Sequence, residues 1–377
     1  MSDVQSSVRE EGAGEAPSRV LAAQLDLRGA WARVLEKGGM PGVDGVSVSR
    51  FARAAEAALS VLQSRLARGD YRPLPLRLAE LEKKSGGRRV LLVPAVVDRV
   101  VQSAVAGWLG TRWNPGFDQN SYAYRPGRGV HDALRALADL RDRGFRWVLD
   151  ADISGFFDSI DHGRLLALVA SRLGSRSPML GWIRDWLDAA VWDGRDLARL
   201  AHGVPQGSPL SPLLANLFLD PFDRRLREAG AAFIRYADDF VVLARTPFDL
   251  AGARVIVERA LGELGLSLNE EKTGTTSFER RFRFLGAEVR ADAILVPLDR
   301  PKTKSPPVFV APTMPPALRR AYAAGRLVAR APFEQRARVA ASPAPVAAAG
   351  PYRSALTRLA GRTGTDPQMR ALRGRLT

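Results

Sequence analysis

The sequence contains no cysteine, only three histidines and no long apolar run. The lack of cysteine excludes disulfides, thiolate zinc sites, iron–sulfur clusters and cysteine nucleophiles, and fits a reducing compartment. His131, His162 and His202 stand in different local contexts, so a histidine-based metal centre is not expected. No segment reaches the roughly 18 apolar residues of a membrane span, and the polar first 18 residues resemble neither a signal peptide nor an anchor. We therefore expect a cytoplasmic protein without membrane contact.

Acidic residues are few relative to basic ones. Lys and Arg total 56 against 40 Asp and Glu, which gives a net charge of +16. Such a balance is typical of proteins that bind a polyanion, and nucleic acid is the leading class of partner. Residues 296–377 hold 15 of the basic residues and only 3 acidic ones. This Pro-, Ala- and Arg-rich segment is therefore the expected electrostatic contact surface.

Two adjacent carboxylates, Asp238 and Asp239, interrupt an apolar stretch at residues 233–243. Aromatic and β-branched residues on both sides predict a β-hairpin with a polar tip. Adjacent carboxylates repel one another and resist desolvation, which favours a bound cation at the tip. A solvated acidic turn is the alternative, since Asp often marks turns.

A third carboxylate, Asp152, ends the apolar strand predicted at residues 145–153. Two strands that carry carboxylates at adjacent ends can build a two-metal centre, because Mg²⁺ takes one or two carboxylates together with substrate phosphates. The corresponding chemistry is in-line phosphoryl transfer, in which positioning and charge neutralisation supply most of the catalysis.

Two further segments suit phosphate binding. Residues 83–94 predict a hairpin with a Gly-Gly turn flanked by four cations, although a solvated basic turn is an equal interpretation. Residues 203–212 form a Gly- and Pro-rich loop, in which Ser211 is the expected N-cap of a helix and Pro212 its first-turn residue. A helix N-terminus attracts phosphate.

Several segments, taken together and in order, resemble reverse transcriptases of the bacterial group II intron type. Each motif is short, but their collinear order over about residues 30–290 is specific. The segments are Gly42-Val43-Asp44-Gly45-Val46-Ser47, Ser121-Tyr122-Ala123-Tyr124-Arg125-Pro126-Gly127-Arg128, Asp152-Ile153-Ser154-Gly155-Phe156-Phe157-Asp158, Pro205-Gln206-Gly207-Ser208-Pro209-Leu210-Ser211-Pro212, Tyr236-Ala237-Asp238-Asp239, Leu268-Asn269-Glu270-Glu271-Lys272-Thr273 and Phe284-Leu285-Gly286.

The irregular alternation of helices and strands favours an α+β fold. The resemblance implies the right-hand polymerase architecture of fingers, palm with an antiparallel sheet, and a short basic helical thumb. We expect residues 1–18 to be a disordered leader, 19–144 mainly fingers, 145–295 mainly palm, and 296–377 a thumb-like region.

The resemblance also assigns roles at the catalytic centre. Asp152 and Asp238 correspond to direct metal ligands, Asp239 to a supporting carboxylate, and Ile153 to a backbone carbonyl ligand. The implied cofactor is a pair of Mg²⁺ ions, with Mn²⁺ as a substitute. Lys272 corresponds to a lysine proposed as general acid towards pyrophosphate, with an ordinary surface lysine as the alternative.

Other positions correspond to substrate contacts. Phe157 matches the bulky residue that excludes a nucleotide 2′-hydroxyl, with an ordinary core phenylalanine as the alternative. The implied nucleotide-binding residues are Lys83, Arg89, Phe157, Gln206 and Gly207, and the implied template or primer contacts are Arg125, Arg128, Phe284, Leu285 and Gly286.

We therefore expect an RNA-directed DNA polymerase that uses an RNA template, a DNA or RNA primer and dNTPs. The sequence shows no Cys-rich or His-rich endonuclease region, which favours a role in CRISPR spacer acquisition or phage defence, with CRISPR adaptation proteins as partners. The alternatives are an intron-encoded maturase, an RNA-dependent RNA polymerase or template-independent nucleotidyltransferase, and a catalytically silent nucleic-acid-binding module.

Overall fold

The structure is a computed structural model that describes residues 15–82, 88–296, 307–327, 329 and 331–333. Helices and strands alternate irregularly, which confirms the α+β class. Within these ranges, no helix has both the length and the apolar character that crossing a bilayer demands. The helices are α1 Glu15–Ala23, α2 Leu27–Lys37, α3 Val48–Ala52, α4 Ala55–Arg68, α5 Val96–Trp113, α6 Val130–Asp142, α7 Phe156–Ser159, α8 His162–Leu173, α9 Pro178–Leu187, α10 Ser211–Glu228, α11 Pro247–Glu263 and α12 Pro316–Ala323. The strands are β1 Leu76–Glu82, β2 Arg88–Val93, β3 Trp147–Asp152, β4 Ala190–Trp192, β5 Leu197–Leu200, β6 Ala232–Tyr236, β7 Asp239–Ala244, β8 Gly274–Ser277, β9 Phe282–Phe284, β10 Ala287–Val289, β11 Ile294–Leu295, β12 Pro307–Val310 and β13 Ala331–Phe333.

The start of the chain differs from the prediction. Helix α1 begins at Glu15, so residues 15–18 are helical and not part of a disordered leader, while residues 1–14 lie outside the described residues. The helix can form because it buries Ser18 and Ala22. It ends before α2, which Asp26 caps by accepting a hydrogen bond from Gly29 N at 2.8 Å.

A four-stranded antiparallel sheet in the order β6-β7-β3-β8 forms the predicted palm. Its residues alternate between two cores, as the two-residue period of a strand requires. Phe240 and Val242 belong to the large core shared with α10 and α11, whereas Val241 and Leu243 belong to a second core shared with α6 and β9. Because both faces of the sheet are covered, the end of the sheet at which β7 begins is held rigidly. This end is called the edge of the palm sheet below.

A second sheet, in the order β12-β1-β4-β5-β13 with β2 paired to β1, forms the predicted fingers. It draws strands from three parts of the chain, which the predicted domain boundaries separate. Residues 190–200 were assigned to the palm, and residues 307–310 and 331–333 to the thumb-like region, yet all pair here. Leu76, Val191 and Leu318 share its core, which gives these short strands their stability. The described part of residues 296–377 therefore packs on this second sheet, its assignment as a thumb stays a prediction, and residues 334–377 lie outside the described residues.

A buried polar network joins the helices beneath the fingers. Asp98 of α5 accepts hydrogen bonds from the Tyr71 hydroxyl at 2.7 Å and from Leu74 N at 3.0 Å. Trp186 Nε1 donates to the same hydroxyl at 3.0 Å. Burial raises the pKa of Asp98 to about 7, although the hydrogen bonds from Tyr71 and Leu74 oppose the shift.

Candidate active site

The acidic pair lies at the tip of the hairpin formed by β6 and β7, as predicted. Tyr236 pairs with Asp239, so Ala237 and Asp238 form a two-residue loop. Ala237 has a φ of 64°, the left-handed region that two-residue hairpin turns need at their first position. A non-glycine residue in this region costs about 1 to 3 kcal/mol and persists only where the surroundings hold it. The turn thereby presents Asp238 at the edge of the palm sheet.

Asp152 faces this turn from the neighbouring strand. In the register of β3 and β7, Asp152 is directly opposite Asp239, and opposite residues of an antiparallel pair place their side chains on one face. Ile153 N donates to the Asp238 carbonyl at 3.3 Å, which ties β3 to the hairpin tip. The structure thus brings together Asp152, Ile153, Asp238 and Asp239, which the sequence places in two distant segments.

A fourth carboxylate, Asp150, shares this face of the sheet and was not predicted. It lies two residues before Asp152 on the same strand, so the strand period was the signal that could have revealed it. Burial, reinforced by Asp152, raises the pKa of Asp150 to about 6. Burial, followed by repulsion from Asp150 and Asp152, raises the pKa of Asp239 to about 7. Burial also raises the pKa of Asp238. A cation at this edge is therefore strongly favoured.

Lys272 supplies one positive charge to the site. Its Nζ lies 2.8 Å from Asp152 Oδ2, although the lysine side chain is 63% exposed. The hydrogen bond to Asp152 raises the pKa of Lys272. Asn269, which was not predicted as a site residue, donates from Nδ2 to the same oxygen at 3.3 Å and from its backbone N to the Asp152 carbonyl at 2.8 Å. The segment 268–273 thus orients the Asp152 carboxylate.

The donor set fits a hard divalent cation such as Mg²⁺. Asp152, Asp238 and Asp239 offer carboxylate oxygens at one sheet edge. No three acidic or imidazole side chains converge into a ready-made cage within the described ranges. Mg²⁺ does not require such a cage, because it keeps several waters and takes one or two carboxylates together with substrate phosphates. The raised pKa values of Asp238 and Asp239 independently favour positive charge at this edge.

The loop before α10 joins the palm to the fingers through Gln206. Its Oε1 accepts a hydrogen bond from Arg89 Nε at 2.8 Å, and its Nε2 donates to Asp158 Oδ1 at 3.1 Å. Its carbonyl accepts from Leu92 N at 3.0 Å. Gly207 has a φ of 137°, and a Cβ there would lie 2.9 Å from the Leu92 carbonyl oxygen. Arg89, Gln206 and Gly207 are thus brought together, and their contact with a nucleotide stays a prediction.

The other finger cation predicted to bind phosphate, Lys83, lies outside the described residues, as does the rest of the hairpin tip at 83–87. The hairpin itself is confirmed, because β1 and β2 pair antiparallel up to Glu82 and Arg88. Ser211 is the first residue of α10 and not its cap. Its hydroxyl donates to the Pro205 carbonyl at 2.8 Å, which closes the loop on itself.

Phe157 lies in the short helix α7, five residues after Asp152. Its ring is half-buried and meets Phe156 edge-on, with the ring centroids 5.3 Å apart. Its carbonyl accepts from Val204 N at 2.8 Å, so the Gln206 loop holds its backbone. The partial exposure of the ring suits contact with a sugar better than a fully buried core position would, and the role as ribose gate stays a prediction.

The two arginines predicted to contact template or nucleotide have other partners. Arg125 is buried, and its guanidinium donates to Asn114 Oδ1 at 2.7 Å and to the carbonyls of Asn114, Asp118 and Ser121. These bonds use most of its five N–H donors, so the predicted phosphate contact of Arg125 does not fit this geometry. Arg128 donates to the Gln119 carbonyl and lies over the Tyr122 ring, with its Cζ 5.4 Å from the centroid. Both side chains stabilise the loop at residues 114–128.

The predicted primer-gripping residues form a second tight hairpin between β9 and β10. Phe284 pairs with Ala287, so Leu285 and Gly286 are the loop residues. Both have positive φ, 52° and 80°, as a type I′ turn requires. Phe284 is buried in the core beneath the palm sheet. Only Leu285 and Gly286 are therefore presented at the turn, and their primer contact stays a prediction.

The palm sheet, the carboxylates at its edge and the finger hairpin docked above them define a polymerase of the right-hand architecture. A family model described as reverse transcriptase (RNA-dependent DNA polymerase) matches residues 81–289. This match covers more than half of the chain. The chain therefore belongs to the reverse transcriptase family, and its relatives place it with the bacterial group II intron-like type.

Among the curated relatives, the chain is 32% identical to Protein YkfC of Escherichia coli (strain K12), over 65% of this chain and 74% of the relative. It is 33% identical to the Group II intron-encoded protein LtrA of Lactococcus lactis subsp. cremoris, over 48% of this chain but only 30% of the relative. Among solved structures, a partial Cas6-RT-Cas1–Cas2 complex is 28% identical over 63% of this chain and 39% of that chain, with a TM-score of 0.37. Telomerase from Candida tropicalis, in complex with a fragment of telomeric RNA, is 13% identical over 68% of this chain and 50% of that chain, with a TM-score of 0.49.

Proposed function

We propose that this chain extends a primer 3′-hydroxyl with dNTPs on an RNA template. The observation that carries the proposal is the register that sets Asp152 opposite Asp239, with Asp238 in the adjoining turn. This arrangement places carboxylates from two strands at one edge, in a chain of the reverse transcriptase family. The reaction forms a bond between the primer 3′-oxygen and the α-phosphorus of the nucleotide and breaks the bond to pyrophosphate.

Asp152 and Asp238 would hold two Mg²⁺ ions, or Mn²⁺ as a substitute, with the Ile153 carbonyl as a further ligand and Asp239 in support. When bound, these ions activate the 3′-hydroxyl and neutralise charge on the triphosphate. Lys272, whose pKa is raised beside Asp152, is protonated at neutral pH. Its Nζ can therefore donate a proton to the leaving pyrophosphate oxygen.

Arg89 and Gln206 form the link between fingers and palm, above the carboxylates. Burial raises the pKa of Asp238, and the positive charge of Arg89 offsets part of that rise. The bond from Arg89 Nε to Gln206 restrains the plane of the guanidinium and uses only one of its five N–H donors. A guanidinium held in this way suits paired phosphate oxygens. We propose that Arg89 binds the triphosphate and that Phe157 closes the nucleotide pocket against a 2′-hydroxyl.

Primer extension by the full chain tests the proposal. Purified protein with a primed RNA template, Mg²⁺ and dNTPs should extend the primer, and Asp238→Ala should stop extension because a ligand is lost. Asp292→Ala is the matched control, since it removes an exposed carboxylate outside the site. Equal extension by Asp238→Ala and wild type would contradict the site assignment.

The same assay separates the alternative activities. Preferred incorporation of rNTPs would indicate an RNA polymerase, and extension without a template would indicate a terminal transferase. Binding of the primed template without extension would indicate a silent module. The predicted roles in CRISPR spacer acquisition, phage defence or intron splicing stay predictions from sequence.

A further inference from the structure

Arg235 is a fully buried arginine on β6, three residues before Asp238, and the chemistry described above does not use it. Its Nε donates to Asp223 Oδ1 of α10 at 2.7 Å, and its Nη2 donates to Asp223 Oδ2. This is a bidentate ion pair, which satisfies only part of the guanidinium. Nη1 makes two further hydrogen bonds. One is to the Ala237 carbonyl, and the other is to the Asn216 side chain, which itself donates to the Ala123 carbonyl.

The first of these bonds holds the catalytic turn. Arg235 Nη1 donates to the Ala237 carbonyl at 3.1 Å. This carbonyl belongs to the peptide that joins Ala237 to Asp238, and a peptide is planar, so fixing its oxygen fixes the plane from which Asp238 departs. Ala237 adopts a left-handed φ that alanine disfavours. The turn therefore needs an external contact to keep this conformation, and Arg235 provides one.

The second bond reaches the loop on the other side of the site. Arg235 Nη1 also donates to Asn216 Oδ1 at 3.1 Å, and Asn216 Nδ2 donates to the Ala123 carbonyl at 2.8 Å. The next residue, Tyr124, is a second non-glycine residue with positive φ, at 60°, and its side chain is 50% exposed.

The backbone of Arg235 strengthens the same link. Its N donates to the Asn120 carbonyl at 2.8 Å, and its own carbonyl accepts from Tyr122 N at 2.9 Å. One residue thus bonds to the loop at 120–123 through its main chain and, by way of Asn216, through its side chain. Of the two left-handed residues, Ala237 is bonded to Arg235 directly, and Tyr124 follows Ala123, whose carbonyl is linked to Arg235 through Asn216.

We propose that Arg235 is a positioning residue. Its buried ion pair with Asp223 fixes the guanidinium, and the guanidinium in turn fixes the position of Asp238 relative to the loop at 120–123 and to Tyr124, which follows this loop. This inference rests on the proposed polymerase function. Arg235 touches neither substrate nor metal. Its effect on catalysis passes through the Ala237 peptide and through Asn216.

The test compares Arg235→Lys with Arg172→Lys. Lysine keeps the charge but cannot form the fork of bonds that arginine forms. Arg172 is the matched control because its Nη2 pairs with Asp220, on the same helix as Asp223, at 2.6 Å and has no contact with the catalytic turn among the described residues. Two readouts are measured for each variant: the dependence of the melting temperature on Mg²⁺ concentration, and kcat and KM for dNTP in primer extension.

Arg235→Lys should raise the Mg²⁺ concentration of half-maximal stabilisation about tenfold, because residues that orient metal ligands typically change metal affinity by this order. It should lower kcat about 10- to 100-fold, the loss expected when a catalytic group is displaced by about 1 Å. Arg172→Lys should lower the melting temperature without either change. Ala237→Gly, combined with Arg235→Lys, should restore part of the Mg²⁺ response, because glycine adopts positive φ without cost.

Equal shifts in Arg172→Lys and Arg235→Lys would overturn the proposal and leave Arg235 as a structural residue only. An unchanged Mg²⁺ response in Arg235→Lys would overturn it as well. If Arg235→Lys does not fold, Asn216→Ala removes the hydrogen bonds that link Arg235 to the Ala123 carbonyl, and the same two readouts then decide. If wild-type protein itself shows no extension, the proposed function fails, whereas wild-type extension with unaltered variants refutes only the positioning role.

Discussion

Gly207→Ala tests whether the contact between the fingers and the loop before α10 sets up nucleotide binding. Gly207 has a φ of 137°, a region in which an L-residue is strained whatever space surrounds it. An added Cβ would also lie 2.9 Å from the Leu92 carbonyl oxygen, a backbone atom of β2 that cannot swing aside as a side chain could. The loop must therefore move away from β2, which breaks the bond between Leu92 N and the Gln206 carbonyl.

Gly207→Ala should lower the free energy of unfolding by about 2 to 4 kcal/mol. This sum combines about 1 to 3 kcal/mol of backbone strain with about 1 kcal/mol for the lost hydrogen bond. At a shift of about 2 to 4 °C per kcal/mol, the melting temperature should fall by roughly 4 to 16 °C. Because Gln206 moves away from Arg89, KM for dNTP should rise more than KM for primer–template.

The control for Gly207→Ala is Gly230→Ala. Gly230 has a φ of 70°, yet nothing lies within 4 Å of the added Cβ. Gly230→Ala should therefore lower the free energy of unfolding by about 1 kcal/mol, from backbone strain alone, and leave kcat and KM unchanged. If the two variants lose the same stability and both keep the wild-type KM for dNTP, the close approach to Leu92 has no role in the site.

The remaining predictions concern three other side chains. Phe157→Ala should increase incorporation of rNTPs relative to dNTPs in competition assays, and an unchanged ratio would refute the gate. Lys272→Gln should lower kcat about 100-fold, as loss of a general acid does, yet change stability by less than about 1 kcal/mol because its bond to Asp152 is largely exposed. If kcat falls only in proportion to the loss of folded protein, Lys272 is an ordinary surface lysine and not a general acid. The contribution of Asp98 to wild-type stability should fall as pH rises from about 4 to 7, because the folded state binds a proton at Asp98 that the unfolded state releases. Asp98→Asn should lack this contribution, so its stability relative to wild type in urea unfolding should increase between pH 5 and pH 8, whereas the exposed control Asp70→Asn should show no such trend.

The sequence predicted that Asp152, Asp238 and Asp239 lie together because the signals are local, and their catalytic role stays a prediction. Aromatic and β-branched residues around an acidic pair define the hairpin at Asp238, and the end of an apolar strand identifies Asp152. The period of β3 also contained the signal for Asp150, because residues two apart on a strand share a face. Such information is present within a few residues of each carboxylate.

Long-range contacts could not be predicted in this way. Arg125 lies in a basic and aromatic motif that suggests nucleic acid, but three of its four acceptors are backbone carbonyls, which any residue type supplies. Strands β4, β5 and β12 have only three or four residues each, so their propensity is weak and distant pairing decides their place. The sequence therefore predicted the position of the carboxylates better than the contacts by which the chain supports them.

Two cations of the proposed site are already bonded to groups with proposed roles in the reaction. Lys272 binds Asp152, and Arg89 binds Gln206. The negative charge of a nucleotide triphosphate draws cations towards itself, and movement of Lys272 towards the phosphates would release an oxygen of Asp152. A metal ion competes for that same oxygen, so nucleotide and metal should each strengthen the binding of the other, as reciprocal linkage requires. The ion pair between Lys272 and Asp152 would then keep the carboxylate neutralised until the nucleotide and the metal ion bind together.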